Sequence, residues 1–218
     1  MHLGDFAQGI VGTSAIVASG VPQALGYAFA AQQKRSEQVV VCFFGEGALA
    51  EGAWHESMNF AALKKLPILF VCENNLYAIY SHMRDRVPAV NICERVATYR
   101  IPAERVEGGD VERILAAASE AVAAIRGGSG PRFLECETYR WRDHVGPGED
   151  RVHKYRPDAA LDGWIARDEM KRLANLLPPD QRAAIDAEVE DELAAALAFA
   201  EKSPYPNDRE LDLHVFKG

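Results

Sequence analysis

The 218-residue sequence predicts an α/β protein: a doubly wound, mostly parallel sheet followed by a helical C-terminal tail. Two apolar runs, Val39-Val40-Val41-Cys42-Phe43-Phe44 and Ile68-Leu69-Phe70-Val71-Cys72, are continuous rather than alternating, which is how strands buried on both faces of a parallel sheet read. Segments of helical character separate these runs from one another and from later ones, so strands and helices alternate, as right-handed crossovers require. After Pro147 the composition turns charged and alanine-rich. That change divides the chain into a ligand-binding domain over 1–150 and a helical extension over 151–218 packed on it.

The elements follow in order. Residues 12–33 are small and apolar, and Gly20-Val21-Pro22 marks a turn leading into a helix that runs to Gln33. A strand over 38–44 comes next. Trp54, Met58, Ala61 and Ala62 recur at helical spacing and predict an amphipathic helix over 52–65, then a strand over 67–72. A short helix over 91–99, a short strand over 104–107 and an alanine-rich helix from Val111 to Ile125, ended by Gly127-Gly128, precede a strand over 132–138. The tail divides into helices 161–177 and 179–202 at Pro178-Pro179.

Two polar signatures close the first two strands: Gly45-Glu46-Gly47 and Asn74-Asn75. Ligands of open parallel sheets bind at the carboxyl ends of strands, and acidic and amide oxygens there suit a hard cation such as Mg²⁺. A metal-bound phosphate is the guest this pattern predicts, and glycines flanking the acid let backbone approach it closely. The bland alternative is an acidic turn and an Asn pair that only cap their neighbours.

Composition narrows the remaining classes. The formal charge of -8, with no Lys/Arg cluster to offset it, argues against a nucleic-acid surface. Cys42, Cys72, Cys93 and Cys136 have neither metal-type nor redox-type spacing, and three of them fall in predicted strands, so free, buried thiols in a reducing compartment are expected. Apolar stretches are too short for a membrane span and the start lacks a signal layout, which points to the cytoplasm.

The stretch GEGALAEGAWHESMNFAALKKLPILFVCENNLYAI resembles the thiamine diphosphate enzymes, whose motif is Gly-Asp-Gly, a helix and strand, then Asn-Asn. It is similar in particular to the alpha subunit of the decarboxylating component of 2-oxo acid dehydrogenase complexes of the pyruvate, branched-chain and acetoin types. IVASGVPQALGYAFAAQ, YRWRDHVGPGED and EKSPYPNDRELDLHVF extend the likeness over essentially the whole chain. The resemblance implies the thiamine diphosphate-binding fold, with the diphosphate side of the cofactor on residues 1–150.

It also implies site residues. Glu46, the side chain of Asn75 and the main-chain oxygen of Tyr77 correspond to the metal ligands, with Gly45 and Gly47 beside the diphosphate. Arg140 corresponds to a diphosphate ligand, and His144 to a catalytic proton donor or positioner. Ile16 and Val17, with Ala18, match a segment whose main chain meets the aminopyrimidine ring; their plain reading is a buried lead-in to a helix. Ser81 is a candidate diphosphate neighbour. His2 and His82 fall in segments like active-site loops, and His55 is expected on a helix surface.

Departures from the family pattern matter as well. Glu46 stands where the family has Asp and carries its carboxylate about 1.3 Å farther; Mg²⁺, the ion the resemblance implies, tolerates this less well than Mn²⁺ or Ca²⁺, so either the loop shifts to compensate, or metal and cofactor bind weakly, or catalysis is lost. Asp143 replaces a Gly, and Val145 replaces a Ser that is phosphorylated in some relatives, so no such switch is expected there. Met1-His2 matches an internal Met-His, which reads as a fragment, a misplaced start or part of a split gene. The glutamate that promotes ylide formation belongs to a beta subunit. The expected enzyme is therefore an alpha2-beta2 assembly serving a lipoyl acyltransferase, inactive and prone to self-association as the alpha chain alone. The alternative is a degenerate relative that keeps the fold and the partner surface as a non-catalytic interaction subunit.

Overall fold

The computed structural model describes residues 3–88 and 91–213. The chain forms two compact units, Met1–Glu169 and Met170–Gly218. Residues 151–169 thus belong to the first unit, beyond the compositional change near Pro147.

The first unit contains α1 (Gly20–Gln33), β1 (Val40–Gly45), α2 (Gly52–Lys64), β2 (Ile68–Asn74), a small hairpin β3 (Tyr77–Ala78) and β4 (Ser81–His82), α3 (Ile92–Ala97), β5 (Ala103–Val106), α4 (Val111–Arg126), β6 (Arg132–Glu137) and α5 (Asp158–Ala166). α6 (Glu169–Ala174) begins at the boundary, and α7 (Pro179–Lys202) lies in the second unit. The hairpin falls where the sequence suggests only a loop. Arg167-Asp168 interrupt the single helix expected over 161–177.

Four parallel strands form the main sheet in the order β1-β2-β6-β5. The chain steps from β1 to β2 through α2 and, coming from the opposite edge, from β5 to β6 through α4. Two right-handed crossovers running in opposite directions put their helices on opposite faces. One buried cluster accordingly joins α1, α2 and α3 to the sheet through Val21, Leu25, Trp54, Met58, Phe70 and Ile92. The other lies under α4, with Leu69, Val71, Ala117, Ile125 and Leu134. The sheet is doubly wound, and its direction reverses between β2 and β6.

One expectation needs correction. β2 is buried on both faces, but β1 is an edge strand whose Val41 and Phe43 are 41% and 67% exposed. α4 packs over β2, β5 and β6, so the outer face of β1 is open at these two residues. An apolar run is the same string of residues whether or not a helix covers its second face.

All four cysteines are free. Cys42, Cys72 and Cys136 are buried as expected, and burial pushes the thiols of Cys42 and Cys136 up to about 11. Among the described residues no helix is long and apolar enough to cross a membrane.

Candidate functional site

The register brings the two signatures level. Gly45 at the end of β1 pairs with Glu73, and Asn74 at the end of β2 pairs with Glu137 of β6, so three strands finish side by side at one edge. The reversal between β2 and β6 opens the crevice where ligands of such sheets bind. Asn74-Asn75 and Tyr139-Arg140 leave the sheet on either side of it, and the Thr138 N–H donates to the Asn74 carbonyl at 2.9 Å.

The two asparagines have different tasks. Asn74 is buried; its side-chain N–H donates to the buried Glu135 at 2.8 Å, and its Oδ1 accepts from the Leu76 N–H at 2.9 Å. This fixes the turn and hands the next position to the site. Asn75 Oδ1 accepts from the Tyr77 N–H at 3.1 Å and from Arg156 Nη2 at 3.3 Å. Gly47 lets the first signature close against the hairpin: a Cβ there would sit 3.0 Å from the Cβ of Ala78.

Glu46 is 1% exposed, and its Oε1 accepts from Arg86 Nη2 at 2.7 Å. Burial raises the Glu46 pKa, while the charge and hydrogen bond of Arg86, then the backbone N–H groups of Glu46 and Asn75, pull it back. Arg86 Nε also donates to the Ser81 carbonyl at 3.2 Å, which anchors the guanidinium to the hairpin.

Across the crevice stands a second buried pair. Arg156, 8% exposed, lies over the rings of Tyr77, Tyr139 and Tyr155 at 4.5, 4.7 and 5.2 Å. Its Nη1 donates to the Arg140 carbonyl at 3.0 Å; its Nε is 3.5 Å from Asp150 Oδ2 yet makes no hydrogen bond. Asp150, 4% exposed, accepts from Arg140 Nη1 at 3.1 Å and from the Tyr155 hydroxyl. Burial and then that hydrogen bond push the Tyr155 phenol up to about 12, so it remains a donor. Around the crevice three guanidinium groups, Arg86, Arg140 and Arg156, face two buried carboxylates, Glu46 and Asp150.

The expected site residues therefore fall into two groups. Gly45, Glu46, Gly47, Asn75, Tyr77 and Arg140 come together at the strand ends, where His82 meets Tyr77 with ring centroids 4.9 Å apart. Arg140 is already engaged by Asp150, Tyr155 and the Arg142 carbonyl. His144 is exposed in the loop after β6, while His153, not His144, bonds Asp143 at 2.9 Å. Ile16 and Val17 are 70% and 60% exposed in the turn before α1, so they are not the buried lead-in of the plain reading. His2 lies outside the described residues. His55 is half-buried and ties α2 to α3: Tyr99 Oη is 2.6 Å from its Nδ1 and Arg95 Nη2 is 2.7 Å from its Nε2.

Sequence reasoning missed Arg86, Asp150, Tyr155 and Arg156. Asp150 closes the family-like stretch YRWRDHVGPGED, and Tyr155 and Arg156 follow just past it in an aromatic and basic segment, which is a signal, although composition assigns those two to the tail. Nothing local marks Arg86.

The donors do not fit a divalent ion as arranged. Oε1 of Glu46 and Oδ1 of Asn75 each accept N–H groups, one or more of them from a guanidinium, so a metal would have to displace cationic donors. Three arginines, one with an unpartnered buried N–H, fit a phosphoryl anion instead.

A profile of the family described as "Dehydrogenase E1 component" matches residues 1–209. The chain is 35% identical over 220 residues to the alpha subunit of acetoin:2,6-dichlorophenolindophenol oxidoreductase of Bacillus subtilis, covering 99% of this chain and 66% of that protein. It is 34% identical over 232 residues to the chloroplastic pyruvate dehydrogenase E1 component subunit alpha-3 of Arabidopsis thaliana (99% and 53%), and 34% identical over 227 residues to pyruvate dehydrogenase E1 component subunit alpha of Rhizobium meliloti (97% and 62%). The chain thus spans about half to two thirds of the length of these relatives. With the profile covering nearly all of the sequence and a doubly wound parallel sheet beneath it, this chain belongs to the dehydrogenase E1 component family.

Proposed function

We propose that this chain is the alpha component of a thiamine diphosphate-dependent 2-oxo acid dehydrogenase and contributes the diphosphate side of the cofactor site. One observation carries the reading: the reversal point of the sheet gathers Gly45-Glu46-Gly47, the Asn74-Asn75 turn and three guanidinium groups. Bound thiamine diphosphate would supply the electron sink for decarboxylation of a 2-oxo acid. The chain's part is to hold and orient. Gly45 and Gly47 admit the anion to the backbone, and Arg140 and Arg156 present forked donors to its oxygens. Tyr77 walls the crevice. His144, exposed in the loop after β6, is the residue we assign to move a proton at the reacting carbon. The divalent-metal bridge through Glu46, Asn75 and the Tyr77 carbonyl is the one element of the expected site that the donor arrangement does not favour.

The glutamate that activates the cofactor comes from a beta subunit in this reading, in an alpha2-beta2 assembly that passes its acyl group to a lipoyl acyltransferase. The open face of β1 at Val41 and Phe43 and the exposed Ile16 and Val17 suit a chain that is incomplete alone. The test is co-expression with the adjacent beta-type reading frame and assay of 2-oxo acid decarboxylation with dichlorophenolindophenol as electron acceptor. A stable, active complex supports the proposal, and absence of any complex overturns it. A stable but inactive complex would select the second reading, a non-catalytic interaction subunit, which the pairing of Glu46 with Arg86 favours.

A further inference from the structure

The corner of the site where the family's pattern calls for a cation already holds one. Glu46 is a glutamate at an aspartate position, so its carboxylate extends past the turn, and what it meets there is Arg86 Nη2 at 2.7 Å. The pair is sequestered, with side-chain exposures of 16% and 1%. It is also built in. Arg86 Nε is tied to the Ser81 carbonyl at 3.2 Å, and the hairpin carrying Ser81 packs against Gly47 through Ala78. The longer acid and the arginine are thus held in register by one turn and one hairpin. A divalent ion at Glu46 would have to expel a guanidinium that is bonded on two sides, and the expelled charge would remain next to the metal. Asn75 Oδ1, the second oxygen a metal would need, faces Arg156 and accepts from it at 3.3 Å.

We propose that Arg86 is the resident cation of this site: its guanidinium neutralises Glu46 and excludes a divalent ion, and a diphosphate group arriving at the strand ends is met by arginine donors in place of a metal. This rests on the cofactor-site reading above only for the place where the anion binds. The chemistry is sound without a metal, because guanidinium groups bind phosphoryl oxygens through paired, charge-assisted hydrogen bonds. Glu46 and Arg86 then act as a fixed dipole at the base of the crevice, and Arg140 and Arg156 supply the uncompensated positive charge.

The experiment uses the whole chain, wild type and Arg86→Gln. Mn²⁺ alone is titrated and followed by loss of the free-ion paramagnetic resonance signal. Inorganic diphosphate, and separately thiamine diphosphate, is titrated calorimetrically in EDTA and in Mg²⁺. The wild type should take up no Mn²⁺ at this site and bind inorganic diphosphate equally well in EDTA and in Mg²⁺. Arg86→Gln frees the carboxylate and should gain Mn²⁺ uptake that the added change Glu46→Gln removes; its diphosphate affinity should fall about tenfold in EDTA and recover in Mg²⁺. Wild-type Mn²⁺ uptake that Glu46→Gln abolishes would overturn the proposal. So would diphosphate binding that needs Mg²⁺, no diphosphate binding at all, or a folded Arg86→Gln chain that still ignores Mn²⁺. If Arg86→Gln is too unstable to purify, the wild-type titrations decide alone. Binding of thiamine diphosphate that requires Mg²⁺ would overturn this inference and leave the proposed function standing. Failure to form a beta complex would do the reverse, because the Mn²⁺ comparison does not depend on it.

Discussion

Arg156→Met tests whether the arginine network, proposed above as the anion site, is also a structural keystone. Arg156 is 8% exposed, lies over three tyrosine rings, and donates to the Arg140 carbonyl and Asn75 Oδ1. Breaking a buried ion pair from one side costs about 3–5 kcal/mol, because the remaining charge is stranded. Here Asp150 keeps Arg140 and Tyr155, and removing the unpartnered Nε returns about 1 kcal/mol. The methionine stem preserves the apolar part of the contact with the rings. The expected net loss is about 3 kcal/mol, which for a chain of this size lowers Tm by about 6–12 °C. Melting followed by circular dichroism measures it. Arg156→Lys separates charge from shape: it keeps the cation, loses the fork that spans Asn75 and the Arg140 carbonyl, and should fall between the two. A loss for Arg156→Met below about 1 kcal/mol would refute the reasoning, since it would mean that the guanidinium is solvated and not the buried partner of Asp150.

Three further outcomes follow from other parts of the fold. Gly47→Ala places a methyl 3.0 Å from the Ala78 Cβ, so urea denaturation should register a loss of about 1–3 kcal/mol; an unchanged midpoint would mean that the hairpin does not rest on the turn. His55 can accept from Arg95 only when neutral, and burial, then the Arg95 charge, lowers its pKa from 6.5. Its contribution to stability is therefore intact above 6.5 and is lost as pH falls through 6.5 toward the lower folded value, because the unfolded chain takes up the proton first. The wild type should lose Tm in that window more steeply than His55→Gln, and parallel curves would contradict the assignment. Phe43→Ser alters a side chain that is 67% exposed, so it should change stability by no more than about 0.5 kcal/mol while reducing light scattering on heating; a clear drop in Tm would show that the β1 face is covered.

Much of the scaffold was legible because its signals are local. Continuous apolar runs gave β1 and β2, helical spacing around Trp54 and Met58 gave α2, and Pro178-Pro179 gave the start of α7. The same locality explains the misses. Val41 and Phe43 look like Leu69 and Val71 in sequence, but only the latter pair lies beneath α4. The hairpin at Tyr77 to His82 is two residues a side, too short for any periodicity to register. Arg140 was readable as a site arginine from its motif. That Asp150 and Tyr155 engage it required the loop after β6 to fold back on itself.

The sequence by itself determined the order of strands and helices, the two glycine and asparagine signatures, and hence the family. Each of these depends on residues within a few positions of one another, where period and turn chemistry act. Only the tertiary structure decided what those signatures face. Glu46 and Arg86 are 40 positions apart and Asn75 and Arg156 are 81 apart, and no local rule links such pairs. They meet because β1, β2 and β6 run parallel and end level, which brings loops from distant parts of the chain to one edge of the sheet. Burial there multiplies the strength of every charge, so the identity of the cation beside Glu46 was settled by packing rather than by the motif that contains it.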